Sequence, residues 1–286
     1  MKPIATFSIV ARDPLTGELG VAVQSKFLAV GSAVPFAKAN VGAIATQALA
    51  NLDFGEIGLS LLQKGYTAQQ VMEALKQLDP NIEDRQFGIV DAKGGSVSFT
   101  GRNCFDYAGS IAEENLACQG NILVSEATVK ALADTFKQTS GTLARRLVAA
   151  LDAAQHAGGD RRGRQSASLL VVKEKGSYGG YNDRYIDLRV DDDPEPIEKL
   201  SHLLDLHEMY FNKPTLEEII NVGTEIAKQI QVALQKRGYY HGEINGVYDE
   251  MTRNAYASFC GWENFEERVL EGNQVDRNVL AILLNE

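Results

Sequence analysis

Between residues 4 and 190 the hydrophobic pattern switches from strand to helix and back twice, and this order constrains the fold more than any other property of the chain. Residues 4–12 (IATFSIVAR) and 19–25 (LGVAVQS) read as strands joined by the turn chemistry of Asp13-Pro14-Leu15-Thr16-Gly17, so the chain opens with a hairpin. Residues 41–47 (VGAIATQ) read as a third strand. Small, apolar and without clean polar alternation, these runs suit strands covered on both faces. The period then becomes helical over 57–64 and 68–78, with Thr67 as the N-cap of the second helix. A hairpin follows over 86–91 and 96–100 around Lys93-Gly94-Gly95, and short strands continue through 106–119. Helices return over 126–137, capped by Ser125, and over 143–155, before strands at 166–173 and 184–190. Helix pairs segregated between strand meanders fit α+β layering rather than an alternating βαβ sheet. Two sheets between two helical layers, a four-layer αββα sandwich, satisfy the pattern.

Asp191-Asp192-Asp193-Pro194-Glu195-Pro196 breaks the last of these strands. The run has part of the spacing of a calcium loop but lacks its glycine and distal glutamate; acidic residues with proline equally suit a helix N-terminus. A helix over 197–210 stops at Asn212-Lys213-Pro214, where the composition shifts. Helices are expected over 216–237, 251–260 and 276–284, around a turn-rich 238–249. The expected division is a first domain over residues 1–212 and a small helical domain over 213–286, with the joint at 207–215.

Charge and reactive side chains limit the partners. With 28 Lys and Arg against 38 Asp and Glu, the chain carries −10 at neutral pH, the opposite of the footprint that phosphate-backbone binding needs. Nucleic acid is therefore not an expected partner. Cys104, Cys118 and Cys260 have neither ligand spacing nor the even count of a disulfide framework, and the four histidines form no cluster. Neither a metal nor an organic cofactor is expected. No apolar run reaches the roughly 18 residues of a membrane span. Residues 1–14 lack the long apolar core of a signal peptide, so a cytoplasmic location without membrane contact is expected.

The stretches TFSIVARDPLTGELGVAVQS, GAIATQALAN, CQGN and GGDRRGRQSASLLVV, in this order, resemble an uncharacterised bacterial domain family assigned to the N-terminal nucleophile hydrolase superfamily. The resemblance runs from Thr6 to about Leu206 and implies the same αββα fold. It also implies a chemistry. A Thr, Ser or Cys at the mature N-terminus attacks an amide carbonyl, and its own α-amine, with a pKa near 8, takes the proton. Amide donors then hold the oxyanion. Thr6 matches the nucleophile, and a free amine there needs cleavage between Ala5 and Thr6; an ordinary strand threonine is the alternative. Ser25 and Lys26 end the neighbouring strand, where an ammonium would lower the nucleophile's pKa; an exposed lysine at a hairpin end is the alternative. Asn51, and Gln119 with Asn121 on either side of Gly120, are candidate oxyanion donors or, more plainly, turn residues. In the loop 158–166, Asp160, Arg164 and Gln165 are candidates for substrate contact, since arginine forks suit a carboxylate; Asp160 paired with Arg164 is the structural alternative. The expected activity is hydrolysis of a small amide or peptide-like substrate. The alternative is a catalytically inactive binding or scaffold protein of the same fold.

From Ile230, IQVALQKRGYYHGEINGVYDEMTRNAYASF resembles peptidoglycan-binding-like domains, with Gly238-Tyr239-Tyr240, Asn245-Gly246 and Thr252-Arg253 at the matching turns and helix start. That resemblance implies cell-wall glycan as a partner, met by Tyr and Trp rings. The alternatives are Tyr239, Tyr240 and Trp262 as core, or as docking groups toward the first domain or a second subunit of a homo-oligomer.

Overall fold

The computed structural model describes residues 6–285, so residues 4 and 5 of the expected first strand lie outside the described residues. Contacts divide the chain into two compact units between Leu204 and Asp205.

The first unit is mixed α/β with two antiparallel sheets. Its elements are β1 (Thr6–Arg12), β2 (Leu19–Ser25), β3 (Pro35–Lys38), β4 (Gly42–Ala48), α1 (Asp53–Gln63), α2 (Ala68–Leu78), β5 (Arg85–Asp91), β6 (Ser96–Thr100), β7 (Gly109–Glu113) and β8 (Leu116–Asn121). After these come α3 (Ala127–Gln138), α4 (Leu143–His156), β9 (Ser166–Val172), β10 (Arg184–Val190) and α5 (Pro196–Phe211), within which the two units divide. One sheet has the order β10-β9-β2-β1-β8-β7 and the other β3-β4-β5-β6. β1 is thus an inner strand, held by β2 on one side and β8 on the other.

Local chemistry sets the element ends. Thr67 Oγ1 accepts from Gln70 N at 3.3 Å while Gln70 Oε1 accepts from Thr67 N at 2.9 Å, a reciprocal cap that starts α2 where the sequence places it. α3 differs: its N-cap is Glu126, without a side-chain cap bond, and Ser125 Oγ instead accepts from Ala127 N at 3.3 Å. β3 has no counterpart in the expected pattern. It is a four-residue edge strand opening on Pro35, and an edge position tolerates a residue without an N–H donor.

Strand alternation sends each sheet's side chains to two apolar clusters. Phe7, Ile9, Ala22, Cys118, Leu169 and Val171 pack with α3, α4 and α5. Ile44, Phe87 and Ile89 pack with Phe54, Val71 and Leu75 of α1 and α2. Val10, Val21, Val23, Ala43, Ala45, Val90, Ala117 and Leu170 form a third cluster drawn from both sheets. Each large side chain so buried contributes about 1.5–3 kcal/mol. Six of the seven residues of β1 are buried, and a strand covered on both faces has no use for polar alternation.

The second unit contains β11 (Ile219–Asn221), α6 (Thr224–Lys236), α7 (Glu250–Trp262), β12 (Gln274–Asp276) and α8 (Arg277–Asn285). The single helix expected over 216–237 is therefore a strand followed by a helix. Pairing of β11 with β12, extended by Val222 N to Asn273 O at 2.8 Å, claims the backbone that a helix would use, and Gly223 caps α6. Ile230, Leu234, Tyr240, Tyr256, Phe259 and Leu283 form its core, with Tyr239 packed partly against it. Trp262 is not core: at the last position of α7 it is 77% exposed. Among the described residues no helix is long and apolar enough to cross a membrane.

Candidate functional site

Along β1 toward Thr6, the space between the two sheets changes from apolar to polar. Thr6 stands in register with Ser25 of β2 on one side and Asn121 of β8 on the other, and Ser8 stands opposite Gln119. These side chains meet Gln47 of β4 and Gln86 of β5. None of the seven is more than 1% exposed. Buried amides and hydroxyls cost several kcal/mol when left unpaired, so their partners decide whether such a cluster is tolerable.

The partners are present. Thr6 Oγ1 donates to Ser25 Oγ at 3.1 Å, and Ser8 Oγ donates to Gln47 Oε1 at 2.7 Å. Gln47 Nε2 donates to Thr6 O at 3.3 Å and to Gln86 Oε1 at 2.8 Å. Asn121 Nδ2 reaches the same Gln86 oxygen at 2.9 Å. Gln86 Nε2 donates to Gly120 O at 2.8 Å and Thr100 Oγ1 at 3.0 Å. Gln119 Nε2 donates to Ser8 Oγ at 2.7 Å, and Ser98 Oγ donates to Gln119 Oε1 at 3.2 Å. The hydroxyl of Thr6 therefore lies among buried neutral hydroxyls and carboxamides.

Strained backbone flanks the cluster. Ile122, directly after Asn121, has φ 52°, and Ala48, directly after Gln47, has φ 67°. A β-branched residue in the left-handed region costs on the order of 1–3 kcal/mol and persists only when its surroundings fix it. Here Ile122 N donates to Phe105 O at 2.9 Å and its carbonyl accepts from Arg161 N at 2.9 Å.

The loop after α4 abuts the end of β2. Buried Asp160 accepts from Lys26 N at 3.0 Å, and Gln165 N donates to Ser25 O at 3.1 Å. Lys26 itself is exposed, its ammonium on Arg164 O at 3.2 Å. Asp160 pairs with Arg162, at 2.9 Å, rather than with Arg164. The turn explains this: Arg162 N already donates to Asp160 Oδ1 at 2.9 Å, which folds the guanidinium back over the same carboxylate. Arg164 instead pairs with Glu195 and lines a cavity of about 560 Å³ between α4 and the start of α5. Gln165 Nε2 donates to Asp192 Oδ1 at 3.0 Å. Asn51 lies elsewhere, donating to Asp79 Oδ2 at 3.0 Å and accepting from Asp53 N at the start of α1. Burial acts to raise the Asp79 carboxyl, but hydrogen bonds from Arg85, Asn51 and Asn81 outweigh it and hold the group below the usual carboxylate range.

Of the residues singled out in the sequence, the fold gathers Thr6, Ser25, Gln119 and Asn121, and sets Lys26, Asp160 and Gln165 against the end of β2. It directs Arg164 and Asn51 to other partners. Ser8, Gln47, Gln86, Ser98 and Thr100 were not foreseen. For Ser8 and Gln47 the signal was a neutral polar residue inside a mostly apolar strand. The three cysteines play no part: burial pushes the Cys104 thiol up to about 11, that of Cys260 to about 12, and that of Cys118 upward as well, so none is a thiolate at neutral pH.

The family model described as "Family of unknown function (DUF1028)" matches residues 6–200, and the one described as "Putative peptidoglycan binding domain" matches residues 210–283. The chain is similar to protein SPO2555 from Silicibacter pomeroyi, a DUF1028 crystal structure, with 31% identity and a TM-score of 0.65 over 71% of this chain and 89% of that one. A weaker likeness, 12% identity and a TM-score of 0.34, covers 74% of this chain and 99% of Anbu, the ancestral β-subunit from Yersinia bercovieri. No curated protein matches. The residues that build both sheets and helices α1 to α4 fall inside the first of these family models, and the chain belongs to the DUF1028 family of unknown function.

Proposed function

We propose that the first unit is an amidohydrolase of the N-terminal nucleophile type, with Thr6 attacking a small amide or peptide-like substrate once the Ala5–Thr6 bond is cleaved. The observation that carries this reading is the placement of Thr6. It lies on an inner strand, its hydroxyl is buried in a polar cluster between two sheets, and the Ser25 hydroxyl stands beside it on one side and the Asn121 carboxamide on the other. Helix clusters outside each sheet and an apolar cluster shared by both support an αββα sandwich as the setting.

In this reading the freed α-amine takes the Thr6 hydroxyl proton as Oγ1 bonds to the substrate carbonyl carbon. The carbonyl oxygen becomes an oxyanion, held by the second N–H of Asn121. Collapse breaks the C–N bond; the amine leaves with the proton from the α-ammonium, and water hydrolyses the remaining Thr6 ester to a carboxylic acid. The hydroxyls and carboxamides of the cluster do not titrate near neutrality, and in this reading the α-amine serves as the base. The reaction so written uses no metal or organic cofactor.

One observation favours the rival reading of an inactive binding or scaffold protein: in the sequence as given, the Thr6 nitrogen is part of a peptide bond. The intact mass of protein purified from its native host separates the two. A chain beginning at Thr6, with amide hydrolysis that Thr6→Ala abolishes, supports the hydrolase. A chain beginning at Met1 sinks it.

A further inference from the structure

We propose that Gln86 is the positioning residue of this site, fixing which ends of the Asn121 and Gln47 carboxamides face the nucleophile; the proposal rests on the reading of Thr6 given above. The two ends of a carboxamide differ only in donating or accepting, so partners of known polarity must tell them apart. Such partners stand at both ends of this series. Gly120 O is a backbone carbonyl and only accepts. The end of Gln86 that lies 2.8 Å from it is therefore the NH2 group, which also meets Gly109 O at 3.3 Å and Thr100 Oγ1 at 3.0 Å.

The Gln86 oxygen must then face the other way, where two carboxamides converge on it. Both turn their NH2 groups to it, Asn121 at 2.9 Å and Gln47 at 2.8 Å. Gln47 is fixed a second time, because the same NH2 lies 3.3 Å from the carbonyl oxygen of Thr6. Its oxygen is left for Ser8, whose hydroxyl donates at 2.7 Å and thus accepts from Gln119. Two backbone carbonyls, Gly120 O and Thr6 O, set the polarity of the whole series, and Gln86 carries it from one sheet to the other. The consequence for chemistry is specific. Gln86 engages one N–H of Asn121 and orients the second as the oxyanion donor, with no group of its own touching the substrate.

Hydrogen exchange of side-chain amides in the full-length protein, followed by NMR, reads this directly. The NH2 protons of Asn121 and Gln47 are expected to exchange at least about a hundredfold more slowly than an exposed carboxamide; exchange at the exposed rate overturns the proposal without any variant. Gln86→Glu gives a second, chemical test. As the neutral acid it donates to Gly120 O and accepts from Asn121, as glutamine does; ionised, it loses the donor. The Asn121 amide resonances of the variant are expected to titrate with the introduced carboxyl. In protein beginning at Thr6, acylation of Thr6 by a β-lactone probe is expected to rise with pH in the wild type. In Gln86→Glu it is expected to fall about tenfold or more through that titration. Asn121 resonances independent of pH and a wild-type acylation profile, in a variant with wild-type melting, overturn the proposal. If no protein is acylated at any pH, the nucleophile reading fails, while the exchange rates and the Asn121 titration still decide whether Gln86 positions the amide.

Discussion

A Cβ at Gly88 would stand 2.1 Å from Oε1 of Gln119, so the β5 glycine leaves the room in which the β8 carboxamide lies between the sheets. Gly88→Ala must displace that fully buried side chain and break its bonds to Ser8 and Ser98. The expected loss is about 1–3 kcal/mol of unfolding free energy in urea. In a cycle with Gln119→Ala, the double variant is expected to lose less than the sum of the singles, since one clash is then removed. Strict additivity would show that the glycine is not there to make room.

Asp160 binds the loop after α4 to the end of β2. Asp160→Ala leaves the Lys26 amide and the Arg162 guanidinium without that carboxylate. Because Arg162 is a third exposed, water recovers part of the loss, and about 1–3 kcal/mol is expected. Amide exchange at Lys26 and Arg162 is expected to accelerate more than at the centre of β9. Uniform acceleration across the unit would instead mean that the whole sheet depends on this contact.

The lowered pKa of Asp79 predicts an acid-sensitive term in stability. A carboxyl depressed by its partners contributes fully above its ordinary value of 3.8, and the contribution disappears as pH falls below that toward the lowered value. Urea midpoints measured across this window are expected to drop less steeply in Asp79→Asn, which is also less stable near neutrality. Parallel acid limbs in the two proteins would assign the acid loss to other carboxylates.

In the second unit, Tyr240 and Trp262 separate by burial. Tyr240 is enclosed, and its hydroxyl donates to Glu243 O at 2.9 Å, so Tyr240→Phe is expected to cost about 0.5–1.5 kcal/mol. Trp262→Ala is expected to stay within about 0.5 kcal/mol of wild type, as for other exposed sites. Thermal denaturation compares them; a larger loss at Trp262 would reveal a contact for that ring in solution.

Much of the element map was legible because its signals are local. Thr67 and Gln70 are three residues apart and cap α2 without help from elsewhere, and the apolar spacing of residues 68–78 marks the helix to its last residue. Short strands were not legible. β3, with four residues, and β11 and β12, with three each, exist only because a partner strand lies alongside.

The candidate site divides in the same way. By itself the sequence determined that Ser25 would end the second strand of the opening hairpin, and the resemblance singled out Thr6, Gln119 and Asn121; that β8 lies beside β1 was decided by the fold. It could not bring Gln47 and Gln86 to them, nor choose Arg162 over Arg164 for Asp160, nor send Asn51 to Asp79. Neutral carboxamides carry no spacing rule, and their value arises only when two sheets close over them and remove water. Face-to-face packing, which joins residues 6, 47, 86 and 121 across long stretches of chain, made that choice.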